Sequence, residues 1–244
     1  MLELKNISYT LPDGKEIIRD ISLKIEDNKF AVITGPNGGG KSTLAKIIAG
    51  ILTPTFGQIL LDGQDITGMG ITERAKAGIS FAFQQPVRFK GITVHDLLSL
   101  AAGRDLCRKE ACNYLSQVGL AGSNYVEREV NGSFSGGELK RIEIAMIMAR
   151  GTRISLFDEP EAGIDLWSFK NLISVFEKMH DEIQGSIVII SHQERILNIA
   201  DEIIVIANGK IREQGSREQI LPNLLESSAQ VPCAAAGCCK GGNC

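Results

Sequence analysis

Polar and apolar residues alternate along residues 2–25, broken by the polar turn Pro12-Asp13-Gly14, with Ile21, Leu23 and Ile25 on one face. That period of two predicts a pair of strands. Residues 30–34 (Phe-Ala-Val-Ile-Thr) are almost wholly apolar, as are 154–157 and 186–191. Such runs suit strands of a parallel sheet covered on both faces. Helical periodicity appears at 42–51, closed by Pro54, around 71–77, and at 135–150 and 166–180. Shorter strand patterns lie at 58–61 and 79–83. Asn208-Gly209 between the runs 201–206 and 210–213 is a two-residue hairpin signal. Strands alternating with helices, and no internal repeat, predict an α/β fold built on a mixed sheet with flanking helices.

The pattern changes character twice. Between about residues 87 and 134 it becomes helical: Thr93-Val-His-Asp96 has the form of a capping box, and Leu97, Leu98, Leu100 and Ala101 make an apolar face. This predicts a small helical subdomain inserted into a domain spanning 1–226. From 227 to 244 the chain is small-residue- and Cys-rich, the composition of a flexible tail. A length of 244 residues accommodates one large core with such an insertion.

Charge excludes some partners. Lys and Arg number 26 against 29 Asp and Glu, so no basic excess points to nucleic acid. The opening Met1-Leu-Glu-Leu-Lys5 alternates like a strand and lacks the form of a secretion signal, and apolar runs such as 203–207 are too short for a bilayer. The expectation is a cytoplasmic protein without direct membrane insertion, whose six cysteines are thiols rather than a disulfide framework.

The chemistry concentrates in three places. Gly35, Pro36, Asn37, Gly38, Gly39, Gly40, Lys41, Ser42 and Thr43 fit G-x-x-x-x-G-K-[ST], with an apolar strand before and a helix after. Glycines let backbone N–H groups converge at the positive end of a helix, where phosphates bind. Lys41 would neutralise β/γ-phosphate charge and the Ser42 hydroxyl would ligate Mg²⁺. The apolar strand 154–157 ends in Asp158-Glu159, adjacent carboxylates that point apart: one suited to the Mg²⁺ shell, the other to activating water. Alone, a strand ending in Asp-Glu is ordinarily a solvated end; the phosphate loop changes that reading. Ser135-Gly136-Gly137-Glu138 is a capping box with two costly helical glycines. They make sense where helix N–H groups approach an anion.

Over residues 1–222 the chain resembles the nucleotide-binding domains of the ABC superfamily, whose motifs occur here in order. The resemblance makes 35–43 the Walker A loop and Gln84 the Q-loop glutamine that senses Mg²⁺ and contacts the partner. It makes 134–138 the signature motif, 156–159 Walker B with Glu159 as catalytic glutamate, and 162–165, ending at Asp165, the D-loop. His192 becomes the switch histidine that contacts the γ-phosphate. It implies a P-loop ABC ATPase core, ATP and Mg²⁺ as ligands, and a homodimer in which Ser135-Gly136-Gly137 closes on the partner copy's ATP. Tyr9 lies where the family stacks an aromatic on adenine; a Tyr in a strand is equally a packing residue.

Finer details resemble SufC, the soluble ATPase of Suf-type iron–sulfur cluster assembly: Phe81-Ala-Phe-Gln-Gln-Pro-Val87, Phe134 before the signature Ser, Lys140-Arg141, Glu161-Ala-Gly-Ile-Asp165 and the segment after His192. The partner implied is a SufB-like scaffold. Glu159-Pro160 and the basic Arg88-Phe89-Lys90 depart from SufC, and the ATPase subunit of a membrane transporter, with a transmembrane permease as partner, is the alternative. A third reading, a nucleotide-gated clamp without turnover, is opposed by the presence of Glu159 and His192. Residues 88–94 and the helix after them are the expected partner contact, with Phe89 as apolar anchor; the other reading is an ordinary solvated loop. The tail thiols Cys233, Cys238, Cys239 and Cys244 either hold iron, zinc or an iron–sulfur cluster, which four thiolates suit, or form an inert tail.

Overall fold

A computed structural model of the chain describes residues 1–84, 91–182 and 185–229. The strands are β1 (Leu2–Thr10), β2 (Glu16–Ile25), β3 (Phe30–Thr34), β4 (Phe56–Leu61), β5 (Gln64–Asp65), β6 (Ile79–Ala82), β7 (Ile154–Asp158), β8 (Ser186–Ile190), β9 (Glu202–Ala207) and β10 (Lys210–Ser216). The helices are α1 (Lys41–Ile48), α2 (Ile71–Lys76), α3 (Val94–Ala102), α4 (Arg108–Gln117), α5 (Gly122–Tyr125), α6 (Gly136–Arg150), α7 (Leu166–Glu182), α8 (Glu194–Leu197) and α9 (Arg217–Ala229).

Strand alternation decides how the layers stack. In β3, Ala31 and Ile33 face one way and Phe30 and Val32 the other; in β8, Val188 and Ile190 oppose Ile187 and Ile189. Both faces are therefore apolar, and each must be covered. One is covered by α1 (Leu44, Ile47, Ile48) and by the antiparallel sheet β2-β1-β4-β5. The other is covered by α6 and α7 through Ile144, Ala145, Leu172 and Phe176. The larger sheet runs β10-β9-β3-β8-β7-β6, and its members β9, β3, β8, β7 and β6 are parallel. The result is α/β with a mixed sheet and flanking helices.

The inserted segment leaves and re-enters the core side by side. Val94 N–H donates to Arg128 O at 3.0 Å and Val130 N–H to Ile92 O at 2.9 Å. Thr93 and Asp96 cap α3 reciprocally, at 3.0 and 3.1 Å, and α3 and α4 pack on α6.

Three elements depart from the expected bounds. The helix expected over 42–51 stops at Ile48, because Gly50 adopts φ 77° and ends it in a left-handed turn. The strand expected over 79–83 stops at Ala82, since the backbone of Phe83 bonds to α6 instead of β7. The chain runs as a helix to Ala229, past residue 226, anchored where Ile220 and Leu221 are buried. No helix among the described residues is long and apolar enough to cross a membrane.

Candidate nucleotide-binding site

Four neighbouring parallel strands, β3, β8, β7 and β6, end on one edge of the sheet. Their ends carry the phosphate loop, His192, Asp158-Glu159 and Gln84 in turn. An open α/β sheet binds ligands at the carboxyl ends of its strands. The predicted residues are thus gathered by topology, although up to 157 positions separate them in the chain.

The loop after β3 is shaped by close backbone approach. Gly35 has φ 130°, and a Cβ there would stand 2.1 Å from the Ile206 carbonyl oxygen. Gly40 has φ 103°, and its Cβ would stand 2.7 Å from Ile18 Cδ1. At Gly35 the clash is with backbone, so no other residue type fits there without moving β9; at Gly40 it is the left-handed φ, beside the Ile18 side-chain tip, that favours glycine. The hairpin tip Asn208-Gly209, with φ 53° and 75°, supports the loop from outside. Gly209 N–H donates to Gly39 O at 3.0 Å, and Arg19 N–H donates to Gly209 O at 2.8 Å.

Lys41 is buried at 6% exposure, with Nζ donating to the carbonyls of Gly35 at 2.7 Å and Pro36 at 2.9 Å. An ammonium has three donors, so one remains for a phosphate oxygen. Burial pulls its pKa down, while Glu159 and Asp158 oppose the shift. Ser42 Oγ donates to Asp158 Oδ1 at 2.8 Å, and burial pushes the Asp158 carboxyl upward against that bond. Burial therefore works against both charges. Phosphate would favour the ammonium, and a cation would favour the carboxylate.

Glu159 takes φ 46°, in the left-handed region that side chains rarely adopt. Its N–H donates to Ile190 O at 3.0 Å, which ties the turn to β8. Its Oε2 accepts from Gln84 Nε2 at 2.5 Å. Ser191 N–H reaches Ile33 O at 3.1 Å and its Oγ donates to Glu161 Oε1 at 2.5 Å, fixing the turn from which His192 is exposed. Burial raises the pKa of Glu161. Neither the Ser191–Glu161 bond nor the burial of Lys140 and Glu143 on α6 is anticipated by the motifs; charged residues at apolar helical positions are the one sequence signal for the latter pair.

Other expected residues stand apart. Ser135 N–H donates to Glu138 Oε2 at 2.7 Å, Glu138 N–H returns to Ser135 Oγ at 3.2 Å, and Tyr125 Oη donates to Glu138 at 2.5 Å. These bonds stay within the inserted subdomain and the first turn of α6, away from the phosphate loop. Ser135 and Gly136 are exposed, and a Cβ on Gly136 would meet Gly163 O of the segment leading to Asp165 at 3.6 Å. Tyr9 is half-buried in β1 against the core and pairs with Ile18, the residue over Gly40.

A family model described as ABC transporter matches residues 18–162, more than half of the chain. The chain belongs to the ABC transporter family of ATPases. It is 36% identical over 215 residues to the uncharacterized ABC transporter ATP-binding protein MJ0035 of Methanocaldococcus jannaschii, covering 85% of this chain and 86% of that protein. It is 34% identical over 227 residues to the sulfate/thiosulfate import ATP-binding protein CysA of a Synechocystis strain, covering 89% of this chain but 61% of that relative. Among solved structures, the dimeric cassette MJ0796, described as a bacterial ABC transporter cassette, superposes with a TM-score of 0.79 at 25% identity, covering 89% of this chain and 99% of that one.

As a member of this family the chain binds ATP with Mg²⁺ and hydrolyses it. The donors fit the metal: Mg²⁺ takes hard oxygen ligands, usually one or two from protein and the rest from phosphate and water. The Ser42 hydroxyl and the Asp158 carboxylate are already adjacent. Bound there, the ion would neutralise charge developing on the phosphate oxygens.

Proposed function

We propose that this chain is the ATP-hydrolysing subunit of a larger machine, in which two copies close around two Mg·ATP and the closure moves a partner protein. The observation that carries the reading is the pairing of Ser42 with Asp158 and of Gln84 with Glu159 at the ends of adjacent parallel strands. In this reading the loop amides from Gly35 to Thr43 and Lys41 hold the β- and γ-phosphates. Ser42, Asp158 and the Gln84 amide oxygen attend the ion. Glu159 takes the proton of the attacking water, and His192 contacts the γ-phosphate. Tyr9 supports adenine beside Ile18.

Within one copy the start of α1 faces the phosphates, whereas the bonds of Ser135 and Glu138 at the start of α6 run inside the subdomain and leave that second helix end for another nucleotide. The exposed start of α6, with Ser135, Gly136, Gly137 and Glu138, would close on the other copy's nucleotide beside Asp165, giving two composite sites by two-fold symmetry. Ser135→Arg should therefore bind ATP as a monomer while losing dimerisation and hydrolysis. Native turnover by that variant alone would refute the composite site.

The partner has a seat. A cleft of about 340 Å³ lies between the core and the inserted helices, with the exposed Ile71, Phe83 and Leu100 at its walls. Exposed apolar side chains grouped around a concavity suit a docking protein. The loop contact expected from Arg88, Phe89 and Lys90 lies outside the described residues. The relatives' names favour a membrane permease as the partner. A second reading, a soluble SufB-like scaffold in iron–sulfur cluster assembly, is supported by Phe134, by Lys140-Arg141 and by Glu161-Ala-Gly-Ile-Asp165. Cys233, Cys238, Cys239 and Cys244, candidate ligands for iron, zinc or a cluster in that reading, lie outside the described residues.

Tagged full-length chain recovered from native extract, first without and then with detergent, separates the two. A permease is recovered only from detergent-solubilised membranes; a scaffold comes down without detergent. Recovery of no partner from either, with turnover indifferent to membranes and extract, would contradict the proposal.

A further inference from the structure

Phe83 stands where three parts of the protein meet. Its ring lines the cleft, edge-on to Phe81 with centroids 4.9 Å apart. The next residue, Gln84, bonds to Glu159. The Phe83 backbone is not held by the sheet: β6 is an edge strand, and its pairing with β7 ends at Ala82 opposite Phe157. Instead Phe83 N–H donates to Glu143 Oε1 at 3.2 Å, and Phe83 C=O accepts from Lys140 Nζ.

Lys140 and Glu143 lie one turn apart on α6, and their charges face each other at 3.5 Å with side chains 3% and 18% exposed. Burying two charges is costly unless each is paired and hydrogen-bonded. Burial pushes the Lys140 ammonium down and the Glu143 carboxyl up, each shift opposed by the other residue. An apolar pair would cover this surface at lower cost, as Leu139 and Ile142 do beside them. What the charged pair adds is a grip on both polar groups of one backbone residue. The carbonyl held by Lys140 belongs to the planar peptide that joins Phe83 to Gln84, so fixing it fixes the Gln84 N–Cα bond. Ser135, at the start of α6, is five residues from Lys140, about 7 Å along a rigid helix.

We propose that Lys140 and Glu143 are positioning residues that clamp the Phe83 backbone, and thereby set Gln84 against Glu159. Movement of α6 toward a nucleotide, or a change in the cleft at the Phe83 ring, then reaches the Gln84 amide through one peptide plane. The inference rests on the role given above to Gln84 and Glu159.

The test is a pair of mutant cycles in Mg·ATP hydrolysis by the full chain. Lys140→Met and Glu143→Leu, which remove the donor and the acceptor, should each lower kcat about tenfold with KM within about twofold, as expected for misplacement of a group near the chemistry. In a Gln84→Ala background the same substitutions should lower kcat by less than about twofold, because nothing remains to be positioned. Lys140→Arg, which keeps a cationic donor, should recover most of the turnover. Glu143→Leu serves alone if Lys140→Met does not fold, and Glu143→Gln, whose amide oxygen still accepts from Phe83 N–H, should keep most of the turnover. Unchanged kcat in the native background, or losses that multiply with Gln84→Ala, overturns the clamp while leaving the ATPase reading intact. A Gln84→Ala protein as fast as native removes the role of Gln84, and the clamp with it.

Discussion

Glu159→Gln should bind Mg·ATP as tightly as the native chain and lose hydrolysis by about 10²–10⁴-fold, the range attributed to a positioned general base. The side chain is held for one task. It follows β7 in a backbone conformation of φ 46°, its amide tied to Ile190 and its carboxylate held by Gln84 at 2.5 Å. Side chains occupy that region only where the surroundings enforce it. Glutamine keeps the volume but removes the basic oxygen, so the fold and the nucleotide contacts stay and the proton acceptor goes. Single-turnover hydrolysis beside equilibrium nucleotide titration reads the two effects separately. Retained hydrolysis would move the base elsewhere, first to His192.

Lys41→Ala should weaken Mg·ATP binding about hundredfold, measured by calorimetry. A hydrogen bond to a charged group is worth about 1.5–3 kcal/mol, and each 1.4 kcal/mol is tenfold in affinity. Lys41 is the buried cation of the loop, fixed by the carbonyls of Gly35 and Pro36 against the floor of the site. Its replacement leaves those carbonyls facing the phosphates with no positive charge between. Burial lowers its pKa against the opposing pull of Glu159 and Asp158, and a phosphate would favour the charged form further. Affinity unchanged by the substitution would make the loop structural.

What was legible in the sequence was local or periodic. The apolar runs that became β3, β7 and β8, the hairpin at Asn208-Gly209, and the capping boxes at Thr93 and Ser135 depend on residues within a few positions of each other. The nucleotide loop was equally legible, because glycine, lysine and hydroxyl must stand at fixed offsets to surround phosphate. The Gly50 stop of α1 was missed in favour of Pro54, although Gly is the commoner residue at a left-handed helix end. The helix α9 was missed because Pro222 and the change in composition mask it; burial of Ile220 and Leu221 against the core stabilises it. The clamp on Phe83 joins residues 57 and 60 positions apart, and the Ser191–Glu161 bond spans 30. No spacing rule reaches that far. Lys140 read as a family mark in sequence; its partner became visible only when α6 was laid against the end of β6.

The central claim is that ATP is enclosed by two copies of this chain, with the start of α6 from one closing over Lys41 and Glu159 of the other. Light scattering on the Glu159→Gln protein during size exclusion tests it most directly. With Mg·ATP the account predicts a mass twice the 26.4 kDa of the chain, and with Mg·ADP or without nucleotide the single mass. Adding Ser135→Arg to the same chain should return the ATP-bound protein to the single mass. A Glu159→Gln protein that is saturated with ATP and still runs as one copy would contradict the account.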